Sequence, residues 1–155
     1  MNLREYQEWL EQKAEKIKEA KHKTLLDAGM HAVFHVQHKA IPEAKPYPPI
    51  NSGHYKASWK WWDGGDENTI LVGTDSPYRP ELEYGSRPHF PPLSPIALWA
   101  QRKFGLSPED AKKAAFAIAR KIAKVGTKPR YINLGSQNEF QKILNQSVKE
   151  HLSLA

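Results

Sequence analysis

Residues 55–74 read YKASWKWWDGGDENTILVGT and carry the strand signal of the chain. Residues 55–62 and 69–74 are rich in aromatic and β-branched side chains, which favour strands. DGGD at 63–66 separates them, and Gly and Asp are turn formers. Two such runs on either side of a Gly-rich loop predict a β-hairpin. We therefore interpret Asp63, Asp66 and Glu67 as turn residues rather than as catalytic acids or cation ligands.

A long helix is predicted before the hairpin, over residues 3 to about 39. Leu3, Leu10, Ile17 and Ala28 recur near helical spacing, and Glu and Lys alternate on the other faces. Gly29 is the position where this helix could bend, because Gly costs about 1 kcal/mol relative to Ala. The prolines in residues 41–53 then predict an extended loop.

The second half of the chain is predicted to be mainly helical. Residues 85–95 read as a proline-rich loop, and Ser94 and Ser107 each precede a proline, which is typical of a helix N-cap followed by the first helical residue. These helices are expected to end at Gly105 and near Gly126. Residues 129–134 are predicted to be extended, and 137–152 to form the last helix.

Together these elements predict a single α+β domain over residues 1–155. A long helix occupies 1–40, a loop and strand region 41–93, and a helical region 94–155. The helices are expected to pack on a small, mostly antiparallel sheet made from 55–62 and 69–74, with 131–134 as a candidate third strand.

Several classes of chemistry are excluded or unsupported by the sequence. The chain has no cysteine, which excludes disulfides, thiolate nucleophiles and Cys-based zinc sites. No apolar run is long enough to predict a signal peptide or a membrane span. There is no nucleophile elbow, phosphate loop or dinucleotide fingerprint. We therefore expect neither an enzyme nor a bound cofactor.

The strongest metal candidate is a polar stripe on the first helix, formed by Asp27, His31, His35 and His38. Their spacings place all four on one face. One straight helix usually offers only two ligands to a metal, however, and no Glu stands in a zinc-protease arrangement with them. We interpret the stripe as partly buried or interface-facing and predict that these four residues bind no metal. A metalloenzyme is the weakest of three hypotheses.

Positive charge is concentrated in residues 102–130, where nine Lys or Arg residues oppose only Glu109 and Asp110. Either this is a solvated helix face, or it faces DNA or an acidic partner. The residues assigned to it are Arg102, Lys103, Lys112, Lys113, Arg120, Lys121 and Lys124.

Four segments in a fixed order carry a family resemblance. They are NSGHYKASW at 51–59, VGTDSPY at 72–78, ELEYGSRPH at 81–89, and the pair AIARKI at 117–122 with GTKPR at 126–130. In order and spacing they resemble the minor tail component family of siphophages, over roughly residues 20–150. The resemblance implies a virion protein of the head–tail junction, made in the bacterial host cytoplasm.

Such a protein acts by assembly, forming or capping a ring around the DNA path. Expected partners are head-closure, tail-terminator or tail-tube proteins and further copies of the chain, with non-specific DNA contact and no membrane. The expected assembly residues combine aromatic and Arg side chains, which dominate interfaces, with a stiff proline loop. They are Tyr78, Glu83, Tyr84, Arg87, His89 and Trp99. The alternative from another class is a small, basic nucleic-acid-binding protein.

Overall fold

The computed structural model describes residues 2–46, 49 and 52–152, and it confirms the α+β class. In chain order the elements are α1 (Leu3–His35), a π-helical turn (Val36–Ala40), α2 (Ile41–Glu43), α3 (His54–Ala57), β1 (Trp59–Asp63), β2 (Ile70–Thr74), α4 (Arg79–Tyr84), α5 (Leu93–Phe104), α6 (Pro108–Val125) and α7 (Ile132–Leu152).

Helix α1 begins with a capping box. The Glu5 amide donates to Asn2 Oδ1, and the Asn2 amide donates to Glu5 Oε2, both at 2.9 Å. This pairing satisfies two amides that have no partner inside the helix. The helix continues through Gly29, which is buried where the β-hairpin packs. A Cβ on Gly29 would lie 3.1 Å from Ile70 and 3.2 Å from Trp61, so this glycine allows the hairpin to approach closely.

The predicted hairpin is present as an antiparallel pair, with Trp59 opposite Thr74 and Asp63 opposite Ile70. Its first strand is shorter than predicted, because residues 54–57 form the helical turn α3. The prediction of a third strand at 131–134 is wrong, because α7 begins at Ile132. Among the described residues the sheet has two strands.

The core lies where the end of α1, the hairpin and the start of α7 meet. It is formed by Val36, Ile41, Ala44, Tyr55, Trp59 and Ile132. Helix α7 runs antiparallel to α1, because His35 meets Phe140 while Asp27 meets Ser147, further along α7. The domain is therefore closed by its last helix returning along its first.

Helices α5 and α6 form a separate helical hairpin. They pack through small residues that are fully buried, namely Ala100, Ala111, Ala115 and Ala119. Ser107 caps α6 as predicted, because its Oγ accepts the Asp110 amide at 3.2 Å. Ser94 does not cap α5, because this helix begins at Leu93, two residues earlier than predicted, with Pro92 as its N-cap. None of the described helices is long and apolar enough to span a bilayer.

Candidate assembly surfaces

The amount of exposed surface is the first unusual property of this protein. Its accessible area is 10,961 Å² for a mass of 17.7 kDa. A compact monomer of that mass exposes about 7,900 Å², so about 3,000 Å² is in excess. An excess of this size means that the chain is less compact than a typical monomer of its mass.

Part of this excess belongs to the N-terminal half of α1, which we call the arm and define as residues 3–20. Every side chain from Leu3 to Glu19 is exposed except that of Lys13, which is half-buried. Exposed apolar side chains in the arm are Leu3, Tyr6, Trp9, Leu10 and Ile17. The helical spacing of these residues is visible in the sequence, but the sequence does not show where the rest of the domain ends.

The predicted assembly residues on α4 and its flanks are mostly accessible. Tyr78 is 69% exposed and Tyr84 65% exposed, and Arg87 and His89 are also exposed. The ring nitrogen Nδ1 of His89 lies 2.9 Å from the Arg87 carbonyl oxygen, which holds the two residues in one turn. Trp99 is half-buried, with its ring edge against Phe104 at 5.4 Å between centroids.

The prediction that Glu83 is an assembly residue is wrong, because this side chain is buried and has a structural role. It is only 2% exposed, and its carboxylate accepts the amides of Asn133 at 3.0 Å and Leu134 at 2.8 Å. These amides belong to the first turn of α7, which has no acceptor of its own for them. A negative charge at this end is also favoured by the helix dipole. Glu83 therefore fixes α7 to α4.

A short clasp ties the base of the α5–α6 hairpin. Ser86 and Thr127 exchange backbone hydrogen bonds of 3.2 and 3.1 Å, and the Thr127 hydroxyl donates to Ser86 Oγ at 3.0 Å. The flanking residues Gly85 and Gly126 have φ of 76° and 68°, and a Cβ on either would collide with the opposite backbone. The clasp thus holds the start of the loop that carries Arg87 and His89.

Beyond the clasp, the same loop rests on α6. The rings of Phe90 and Phe116 meet edge to face with centroids 6.1 Å apart, and both side chains remain about half exposed. An aromatic surface therefore continues from the loop onto α6. The aromatic content of the loop was visible in the sequence, whereas its continuation through Phe116 depends on the tertiary contact.

The predicted basic residues are all exposed, but they do not share one face. Lys113, Arg120 and Lys124 lie opposite the buried alanines of α6, with Lys121 beside them. Lys113 is 3.5 Å from Asp110, which partly offsets its charge. Arg102 and Lys103 lie at the end of α5. We therefore define the basic face of α6 as Arg120, Lys121 and Lys124.

The four residues of the polar stripe, Asp27, His31, His35 and His38, contact different partners. Asp27 Oδ2 accepts the Ser147 hydroxyl at 3.2 Å, and it lies 3.6 Å from His151 and 3.9 Å from His31. His35 faces Phe140, and His38 stacks on Phe34 at 4.1 Å. Asp27, Glu150 and His151 offer ligand atoms within 4.8 Å of one another. We interpret this group as the polar end of the α1–α7 contact.

The acidic turn of the hairpin is a structural turn, as predicted. Asp66 accepts the Asn68 amide at 2.7 Å and the Thr69 hydroxyl at 2.9 Å. Glu67 lies 3.7 Å from Lys18 and 3.8 Å from Lys21, so the turn is held against α1. These contacts engage the carboxylates of Asp66 and Glu67 in holding the turn.

Shifted pKa values are confined to structural positions among the described residues. A 2.6 Å hydrogen bond from Lys60 lowers the pKa of Asp75, and one from Lys142 lowers that of Glu139. Both carboxylates are in surface ion pairs, which contribute little to stability. Burial raises the pKa of the Tyr55 phenol. The three groups belong to different parts of the fold, namely α3, the segment after β2, and α7.

Comparison with known proteins adds no further constraint. The chain matches none of the protein-family models, and no curated protein or solved structure is significantly similar to it.

Proposed function

We propose that this protein is a structural subunit of a siphophage head–tail junction, acting by assembly into a ring around the DNA path. Its neighbours in the particle are further copies of itself and head-closure, tail-terminator or tail-tube proteins. The proposal rests on the sequence resemblance given above together with one structural observation. That observation is the exposure of Tyr78, Tyr84, Arg87 and His89 beside a loop whose start is fixed by the Ser86–Thr127 contact.

The loop at residues 86–92 and the neighbouring tyrosines are the assembly surface in this proposal. The Ser86–Thr127 clasp fixes the start of the loop, and Pro88, Pro91 and Pro92 restrict its backbone. A loop that is already ordered loses less entropy on binding. Exposed Arg87 can donate to carboxylates of a neighbour, and Tyr78 and Tyr84 supply large amphipathic contact area.

The basic face of α6 has a distinct role in the same particle. Arg120, Lys121 and Lys124 point away from α5, so nothing in the domain's own core requires their charge. In the ring they face the DNA channel or an acidic neighbour. Contacts of this kind are electrostatic and independent of DNA sequence.

The experiment is a mass measurement by native mass spectrometry on the full chain, alone and mixed with the head-closure and tail-terminator proteins of the same phage. We expect a closed complex containing several copies of this chain when its neighbour is present. A double variant, Tyr78→Ala with Tyr84→Ala, should lose that complex while keeping the parent's melting temperature. Absence of any multi-copy complex with either neighbour would contradict the proposal.

The second candidate is a small nucleic-acid-binding protein, favoured by the exposed basic face of α6. It predicts tight binding of free DNA that weakens steeply with salt, by about 0.9 log units per log salt for each neutralised phosphate. Replacing Arg120, Lys121 and Lys124 with Gln should then reduce the salt slope by the amount expected for the loss of about three phosphate contacts. A ring subunit should instead show little affinity for free DNA.

A further inference from the structure

A cluster of candidate metal ligands lies where the end of α7 meets α1. Asp27, Glu150 and His151 each offer one ligand atom, and these three atoms lie within 4.8 Å of one another. Asp27 belongs to α1, whereas Glu150 and His151 are adjacent residues near the end of α7. The polar stripe on the first helix supplies only one of the three ligands, so the cluster exists only because α7 packs against α1.

The two carboxylates of this cluster form no ion pair with a Lys or Arg in the part of the chain that the structure describes. The ion-pairing partners of Asp27 are histidines, because its Oδ2 lies 3.6 Å from His151 Nε2 and 3.9 Å from His31 Nδ1. Glu150 accepts a hydrogen bond of 2.8 Å from the Gln146 side-chain amide. Carboxylates at this separation repel each other, and a divalent cation between them removes that repulsion.

The spacing and chemistry of these atoms fit a transition-metal ion. Zinc bonds of about 2.0–2.2 Å place neighbouring ligand atoms of a tetrahedral site about 3.4 Å apart. The 3.6 Å between Asp27 Oδ2 and His151 Nε2 is close to that spacing. Glu150 is exposed, so its side chain can rotate toward an ion without disturbing the core. An imidazole ligand favours zinc over magnesium and calcium, which take oxygen ligands.

We propose that Asp27, Glu150 and His151 bind one zinc ion, or a similar divalent transition-metal ion, with water completing its coordination. The ion joins the end of α7 to α1, whereas Glu83 holds the start of α7. An ion that binds the folded chain stabilises it by mass action. The site does not depend on the proposed virion function, because it concerns the folded chain alone.

This site is not the four-residue stripe that was predicted to bind no metal. His35 faces Phe140 and His38 stacks on Phe34, so neither belongs to the cluster. The proposal departs from that prediction for Asp27 alone, because the sequence does not show that α7 brings two further ligands to it.

Isothermal titration calorimetry of the chelator-treated full chain with zinc chloride at neutral pH tests the site. The wild type should bind one Zn²⁺ per chain most tightly, and excess Mg²⁺ should not compete. Glu150→Gln and His151→Gln should each raise the Kd about tenfold or more, because each removes a bond to the ion. His38→Gln and Glu109→Gln are the matched controls, since both replace exposed residues of the same types outside the cluster. Both controls should bind Zn²⁺ as the wild type does.

Thermal melts with and without zinc chloride show whether the ion joins the two helices. Zn²⁺ should raise the melting temperature of the wild type and of both controls, and it should raise that of Glu150→Gln much less. Glu150 is exposed, so this variant keeps the fold and remains informative even if His151→Gln does not fold. A folded wild type that binds no Zn²⁺, or a Kd unchanged in Glu150→Gln, would overturn the proposal. Equal weakening by His38→Gln would also overturn it, because zinc would then be binding surface histidines in general.

Discussion

The carboxylate of Glu83 accepts the backbone amide of Leu134 at 2.8 Å, across 51 residues of sequence. The adjacent amide of Asn133 donates to the other carboxylate oxygen, and the Tyr131 amide donates to the Glu83 carbonyl oxygen at 3.2 Å. One buried residue of α4 therefore positions the start of α7. Because α7 then packs along α1, this contact links the centre of the chain to its first helix.

Glu83→Gln should destabilise the protein by about 1–3 kcal/mol, since an amide NH₂ cannot accept a hydrogen bond and one helix amide loses its acceptor. Urea unfolding measures this directly. Glu81→Gln, an exposed position in the same short helix, is the control and should stay within about 0.5 kcal/mol of the parent. Equal, small effects for the two variants would contradict the assigned role of Glu83.

Gly85→Ala and Gly126→Ala should each cost more than about 1 kcal/mol, because both positions combine positive φ with a backbone in the way of a Cβ. Gly105→Ala separates the two causes. Gly105 has φ of 64° with no atom within 4 Å of the added Cβ, so it reports conformational strain alone. Thermal melts should rank Gly105→Ala as the mildest of the three. If all three lose equal stability, the close approach at the clasp contributes nothing.

Tyr55→Phe should reduce the loss of stability at high pH. Burial raises the pKa of the Tyr55 phenol above its usual value of 10.0, so the folded state keeps its proton where the unfolded state loses it. Stability is thus unaffected below pH 10 and falls as pH rises through the folded-state pKa. The nearby Trp59 indole partly opposes this shift, although it makes no hydrogen bond of ordinary geometry to the phenol.

The measurement is urea unfolding of Tyr55→Phe and wild type at pH 7 and above pH 10. Tyr84→Phe, at an exposed tyrosine, is the matched control and should follow the wild type throughout. At pH 7 the Tyr55→Phe change should be small, because the hydroxyl has no hydrogen-bond partner among the described residues. Identical alkaline behaviour of all three proteins would refute the assignment.

The sequence predicted best where local patterns and tertiary packing agree. The long first helix, the hairpin around residues 63–66 and the Ser107 cap all follow from residues close to one another in the chain. The start of α7 was missed because its amides are capped by Glu83, about 50 residues away. Residues 129–134 have an extended pattern locally, whereas the amides at the start of α7 are bound by that distant carboxylate.

The candidate surfaces were also predicted only in part, because residue type is a local property and exposure depends on tertiary packing. Residue type identified Tyr78, Tyr84, Arg87 and His89, and all four are exposed. Glu83 was assigned to the same surface as part of the 81–89 segment, because the sequence does not show whether a Glu contacts a neighbouring protein or the end of a helix. The exposed arm was missed, since a period of seven does not reveal which part of a helix its own domain covers.

The yield of functional phage particles from Arg87→Glu tests whether the loop at residues 86–92 is an assembly surface. Surface changes usually alter stability by less than about 0.5 kcal/mol, so the variant should melt with the parent. It should nevertheless abolish particle formation in a complementation assay, because the reversed charge recurs at every contact of a ring. Lys39→Glu, an exposed charge reversal away from the loop, should complement normally. Normal particle yield from a stably folded Arg87→Glu protein would contradict the assignment of the loop as the assembly surface.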